Sequence, residues 1–318
     1  MKRAISPATY GVVIQLAVTG VVLITVIVAP HLFRASALDR AAPRFEPDPS
    51  WPKQLPNNWM LGQVGGIYVD SHDHIWVNSR PRTLDENDTY LRAKKGDCCI
   101  PSPPVLEFDQ AGNFVQGWGG PGEGYEWPDD EHGMYVDSKD NVWVGGNGMK
   151  DTNILKFTKA GKFLLQIGHH GKTGGSNDTE NLNRPAGITV YQPANEVFVA
   201  DGYGNRRVIV FDADTGAYKR HWGAYGKGPD DTVARTRTTE GAPPTQFNTV
   251  HGIRISNDNL VYVGDRVNNR VQVFKTDGTF VKEAFIERTT TTAEGTAFGR
   301  GVLTGQAAAV SVCVGRQQ

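Results

Sequence analysis

The sequence predicts an all-β protein, a β-propeller of four-stranded blades preceded by one apolar N-terminal helix. Three observations predict it. Four segments share one plan: "GGIYVDSHDHIWV" from residue 65, "HGMYVDSKDNVWV" from 132, "AGITVYQPANEVFV" from 186 and "HGIRISNDNLVYV" from 251. Each reads as a strand, a polar turn and a second strand with alternating Val, Ile, Trp or Tyr. A third strand ending in Phe follows each of them ("VLEF", "ILKF", "VIVF", "VQVF"), and then a Gly-containing turn opens a fourth. The plan recurs at intervals of 54 to 67 residues. One such sheet cannot bury both of its faces alone, which is why blades come as stacked repeats.

Taken in order, the chain begins with Lys2 and Arg3, then runs "GVVIQLAVTGVVLITVIVAP" over 11–30 without a charged side chain. That is the length that spans a hydrocarbon core. The expectation is an uncleaved transmembrane anchor with residues 1–10 in the cytoplasm. The alternative is a cleaved signal peptide with Ala35-Ser36-Ala37 as its small-residue site. Both put the folded part outside the cytoplasm. Residues 31–58, rich in Pro and charge, read as a linker, and 59–299 as the propeller.

Three cysteines supply no disulfide framework, and the adjacent Cys98 and Cys99 form either a vicinal disulfide or two thiols. A net charge of −1 with no block of Lys and Arg excludes a nucleic-acid footprint. No Gly-rich phosphate cradle before a helix and no nucleophile paired with a base emerges, which counts against hydrolases.

The repeat stops after a fifth start at "TAFGRG". Residues 300–318, "RGVLTGQAAAVSVCVGRQQ", have no turn residues in phase. Codons for 300–313 read one nucleotide later can spell a strand, turn, strand string of the blade-start type. The tail therefore reads as a frame shifted near residue 300, against an ordinary non-repeating tail, with about two blades of a six-bladed ring absent.

The first strand of each blade lines a propeller's channel, so residues at its entry stand around the axis. His132 and His251 occupy that position ahead of Gly133 and Gly252, where the other two blades have Gly65 and Ala186. Histidine in blades two and four of a ring of six predicts a third in blade six, and three His with an open position is the ligand set of a catalytic zinc. The end of the second strand returns to the same face. Arg80, Tyr203 and Arg266 lie there, fourteen, sixteen and fourteen residues after the leading Gly. Two guanidinium groups and a phenol suit the binding of a carboxylate and the transfer of a proton.

Other residues carry blander expectations. Arg206 and Arg270 belong to the repeat and brace its turn. The tryptophans at 76, 118, 143 and 222 recur with the blade as packing residues. His169-His170 reads as a solvated pair in a Gly-rich connection, and His72 and His74 as turn residues.

"ADGYGNRRVIVFDA" at 200–213 and "GDRVNNRVQVFKTD" at 264–277 resemble the NHL repeat family of propellers. Over about residues 60–285 the chain also resembles the lyase half of peptidylglycine α-amidating enzymes. "EHGMYVDSKDNVWV" and "VHGIRIS" match two of that family's three zinc-histidine segments, "ADGYGNRR" its tyrosine segment, and "WVNSR" and "VGDRVNNRVQVF" its arginine segments. The resemblance implies zinc on His132 and His251, Tyr203 as base toward the hydroxyl of a peptidyl-α-hydroxyglycine, and Arg80 and Arg266 holding the substrate. Release of glyoxylate and a peptide amide would follow. The family's third histidine, its neighbouring calcium ligand and a disulfide cysteine at the place of Gly204 have no counterpart here. Loss of activity through truncation is therefore part of the expectation. The competing reading is a non-catalytic propeller that presents a face to a protein or carbohydrate partner.

Overall fold

The computed structural model describes residues 46–85, 99–236 and 240–286. The expected helix at 11–30 and the tail at 300–318 lie outside the described residues. Among those described, no helix is long and apolar enough to cross a membrane. The described residues from Ser50 onward belong to one compact unit.

Strands follow the expected order. Blade one holds β1 (Trp59–Met60), β2 (Gln63–Val69), β3 (Ile75–Arg80), β4 (Ile100–Pro101), β5 (Val105–Phe108) and β6 (Phe114–Trp118). Blade two comprises β7 (Glu131–Val136), β8 (Val142–Gly146), β9 (Asn153–Phe157) and β10 (Phe163–Gly168). β11 (Gly187–Tyr191), β12 (Glu196–Asp201), β13 (Arg207–Asp212) and β14 (Tyr218–Trp222) make blade three. Blade four is β15 (Val250–Ile255), β16 (Leu260–Asp265), β17 (Arg270–Lys275) and β18 (Phe280–Phe285). Each blade is a four-stranded antiparallel sheet in sequence order, β2-β3-β5-β6 in the first, while β1 and β4 pair in parallel beside it.

The core lies between blades, not within them. Val197 and Val199 of β12 join Trp143 and Ile154 of blade two, whereas Phe198 and Ala200 of the same strand join Ile253, Val263 and Phe274 of blade four. A strand packed on both faces must be apolar along its length, which is why "VFVA" at 197–200 does not alternate with polar residues.

The first strands neighbour one another, β2 beside β7, β7 beside β11 and β11 beside β15. Their leading glycines allow this approach. A Cβ at Gly66 would fall 2.7 Å from the carbonyl oxygen of His132, one at Gly133 2.8 Å from that of Ala186, and one at Gly187 2.6 Å from that of His251. In these three blades the Gly that follows the entry residue is thus a packing requirement.

A second repeated contact joins the outer edges. The turn before each fourth strand carries a glycine at positive φ: Gly112, Gly161, Gly216 and Gly278. A Cβ on Gly161 would strike the indole of Trp118 at 2.7 Å, and one on Gly278 the indole of Trp222 at 2.9 Å. Each indole is lent by the fourth strand of the preceding blade; Ile167 takes that place beside Gly216. Among the described residues no such strand precedes blade one, and Trp51 of the Pro-rich stretch lies 2.8 Å from the Cβ position of Gly112. With Leu55 and Leu61 it covers Val77, Leu106 and Phe108.

Trp76 and Trp143 are fully buried, and each donates its indole N–H to the turn aspartate six residues earlier, Asp70 at 2.9 Å and Asp137 at 3.1 Å. At the turn between second and third strands, blades three and four carry a different brace, Asp201–Arg207 and Asp265–Arg270, both at 2.9 Å and wholly buried. The residue that braces the third blade is therefore Arg207 and not Arg206. Asp201 is in register with Arg207 as Asp265 is with Arg270, and the turn between them is one residue longer in blade three.

Candidate active site

The entry of β7 delivers His132 and the entry of β15 delivers His251. Nδ1 of His132 donates to the carbonyl of Ala186 at 3.0 Å, the residue at the same entry of blade three. That bond fixes the proton on Nδ1 and leaves the lone pair on Nε2. Tyr203 follows the end of β12, and its phenolic oxygen lies 3.1 Å from Nε2 of His132 and 3.1 Å from Nε2 of His251. The two imidazole rings stand 5.0 Å apart between centroids and nearly perpendicular. One phenolic proton serves two nitrogens, so Tyr203 donates to one imidazole and accepts from, or leaves open, the other.

Arginines complete the cluster. Nη1 of Arg266 donates to the Tyr203 oxygen at 3.4 Å. Arg80 sits one step further round, where its Nε donates to the carbonyl of Glu131 at 2.6 Å and pairs with Asp130 at 3.3 Å. Gly65 makes room for it, since a Cβ there would meet the Nε of Arg80 at 3.2 Å. Burial first, and then the charges of Arg80 and Arg266, lower the pKa of His132 to about 4, so its imidazole is neutral at physiological pH. A neutral imidazole is the form that can ligate a metal or accept a proton.

All five expected residues lie at this face, with Tyr203 touching His132, His251 and Arg266 and Arg80 reaching the cluster through Glu131 and its charge. Two further residues were missed. Asn147 ends the second strand of blade two, fourteen residues after Gly133, in the place held by Arg80 and Arg266 elsewhere. Its Oδ1 accepts from Arg80 Nη2 at 3.2 Å, and its carbonyl accepts from Arg184 Nε at 2.9 Å. The count of residues from the leading Gly would have found it. Arg184, at φ 61°, lays its guanidinium 5.6 Å from the centre of the Tyr203 ring. It comes from the connection before β11 and has no repeat phase. A third guanidinium thus backs the phenol.

Beside Tyr203, a Cβ at Gly204 would fall 2.1 Å from the side chain of Asn183. Asn183 fills that space and its carbonyl accepts the N–H of Gly204 at 2.9 Å. Cys99 is disulfide-bonded, and the other two cysteines of the chain lie outside the described residues. Arg206 turns away toward the loop at 231–233, donating to the carbonyl of Val233.

Comparison with known proteins supports the fold. The NHL repeat family matches residues 247–274. The chain is 26% identical over 242 residues to NHL repeat-containing protein 3 of Mus musculus, covering 74% of this chain and 58% of that protein. It is 27% identical over 242 residues to the Mus musculus peptidyl-glycine alpha-amidating monooxygenase, covering 72% of this chain and 22% of the relative. Against peptidyl-alpha-hydroxyglycine alpha-amidating lyase 1 of Drosophila melanogaster it is 26% identical over 246 residues, 73% of this chain and 40% of the relative. The chain thus spans about a fifth to three fifths of the length of these relatives. It is a β-propeller with an NHL repeat, and it resembles the lyase domain of the peptidylglycine α-amidating proteins.

Proposed function

We propose that the chain is an amidating-lyase-like propeller that cleaves the C–N bond of a peptidyl-α-hydroxyglycine. One observation carries the reading: the Tyr203 oxygen stands 3.1 Å from Nε2 of both His132 and His251. The donor set fits zinc in kind, since His132 anchors its far nitrogen on a carbonyl as zinc-bound imidazoles do. His132 and His251 would hold the ion, which when bound supplies Lewis-acid polarisation of the substrate hydroxyl. Tyr203, in its phenolate form, would take the hydroxyl proton and return it to the departing nitrogen. The O–H electrons then form the aldehyde C=O, the C–N pair leaves with nitrogen, and a proton on nitrogen completes the amide. Glyoxylate and the peptide amide balance the substrate. Arg266 and Arg80 bind the carboxylate that becomes glyoxylate, with Arg184 adding positive charge behind the phenol.

The domain is proposed to work outside the cytoplasm, tethered by residues 11–30. A disulfide at Cys99 supports an oxidising compartment.

The test is to incubate the purified chain with an N-acyl-α-hydroxyglycine and zinc and to quantify glyoxylate against the spontaneous rate. Release that disappears in Tyr203→Phe supports the reading. No release above the spontaneous rate by the folded, zinc-loaded chain overturns it and leaves a partner-binding propeller, indifferent to His132→Ala.

A further inference from the structure

A second cluster stands behind the loop that delivers His132. Asp151, fully buried between β8 and β9, gathers three backbone N–H groups on its carboxylate: Asp129 on Oδ1 at 2.7 Å, and Asp130 at 2.9 Å and Gly148 at 2.7 Å on Oδ2. His170, in the connection from blade two to blade three, brings Nε2 to 3.2 Å from Asp129 Oδ2 and 3.7 Å from Asp151 Oδ1. The three atoms lie within 4.8 Å of one another. This nitrogen is shielded from solvent, yet it makes no hydrogen bond to either carboxylate. Among the described residues, no Lys or Arg stands within ion-pair distance of Asp129 or Asp151.

The contrast with a similar cluster is informative. Asp70, His74 and Glu107 are equally close, but Lys159 Nζ lies 2.9 Å from Glu107 and His74 Nδ1 lies 2.6 Å from it. There an ammonium already holds the cation position. At Asp129, Asp151 and His170 no described residue does.

We infer that Asp129, Asp151 and His170 form a binding site for a divalent transition-metal ion, with zinc as the type. At metal–ligand bonds of about 2.1 Å, tetrahedral ligand atoms stand about 3.4 Å apart. The observed 3.2 and 3.7 Å lie on either side of that value. His170 Nε2, shielded and without a hydrogen bond, is open to a cation shared with the two carboxylates. The N–H groups on Asp151 orient its carboxylate as outer partners of a metal ligand do. The Asp129 side chain is 49% exposed and that of His170 26%, which leaves an entry path and room for a water as fourth ligand. The imidazole favours a transition metal over calcium or magnesium, which prefer oxygen alone. The ion would tie together the segment running from Asp129 to His132, the turn carrying Asn147, and the connection carrying His170. The site is independent of the lyase reading.

The test uses the full chain carrying His132→Ala and His251→Ala, titrated with zinc by calorimetry and with cobalt(II) by visible absorption. One equivalent is expected, with the intense visible bands of four-coordinate cobalt. Adding His170→Ala or Asp129→Asn should weaken binding by tenfold or more. If the double variant does not fold, the same two substitutions in the wild-type background should each remove one of the bound zinc equivalents. Absence of binding in the folded double variant, or binding unchanged by both His170→Ala and Asp129→Asn, would overturn the inference.

Discussion

Asn147 accepts a hydrogen bond from Arg80, Oδ1 to Nη2 at 3.2 Å, while standing in blade two at the position Arg80 holds in blade one. An amide in that place holds a neighbouring guanidinium where a third arginine would repel it. Asn147→Ala is expected to lower kcat/KM on an N-acyl-α-hydroxyglycine about tenfold, mostly through KM, the effect of one hydrogen bond to a charged group. Steady-state kinetics with zinc in excess read it, and an unchanged KM would refute the role.

Tyr203→Phe deletes an oxygen that touches both imidazoles and Arg266. A fall in kcat of about a hundredfold or more is expected, the range of a lost proton-transfer group, with thermal stability little changed. A decrease below threefold would assign the chemistry to another group.

The Asp–Arg braces of blades three and four are buried ion pairs, so removing one partner strands a charge in the core. Arg207→Ala should cost about 3–5 kcal/mol in urea unfolding. Arg206→Ala, without a partner in that brace, should cost far less. Equal losses would mean that the turn and not the pair is at stake.

The lowered pKa of His132 makes stability depend on pH with a definite sign. In the zinc-free protein the folded imidazole stays neutral down to about pH 4, while the unfolded one takes its proton near 6.5. Stability contributed by this group is therefore full above about 6.5 and falls as pH drops toward 4, by roughly 3 kcal/mol at most. Comparing urea midpoints of the wild type and His132→Gln at pH 7 and 4.5 isolates it. The variant should lose less on acidification, and parallel losses would exclude His132 as the source.

The blades were legible because strand alternation, turn glycines and leading glycines all repeat in one phase. The same phase placed His132, His251, Arg80 and Arg266, and carried one step further it reaches Asn147. Arg184 was not legible. It acts from a connection, and its approach to Tyr203 depends on a left-handed backbone at a residue type that gives no sign of one. Confusing Arg206 with Arg207 came from a single extra turn residue, which only strand pairing exposes. His170 looked solvated because adjacent His residues point apart on an extended chain. They do, and one of the two directions leads to Asp129 and Asp151.

The loan of Trp118 to Gly161 and of Trp222 to Gly278 gives the array a grammar of inheritance. A piece cut at the edges of one sheet would leave an indole without its glycine at one seam and a glycine without its indole at the other. The unit that can be shuffled between relatives is offset from the visible blade. It begins with the tryptophan that ends one sheet and runs to the turn glycine of the next, and Trp51 with Gly112 repeats the contact with an indole that lies outside the four described sheets.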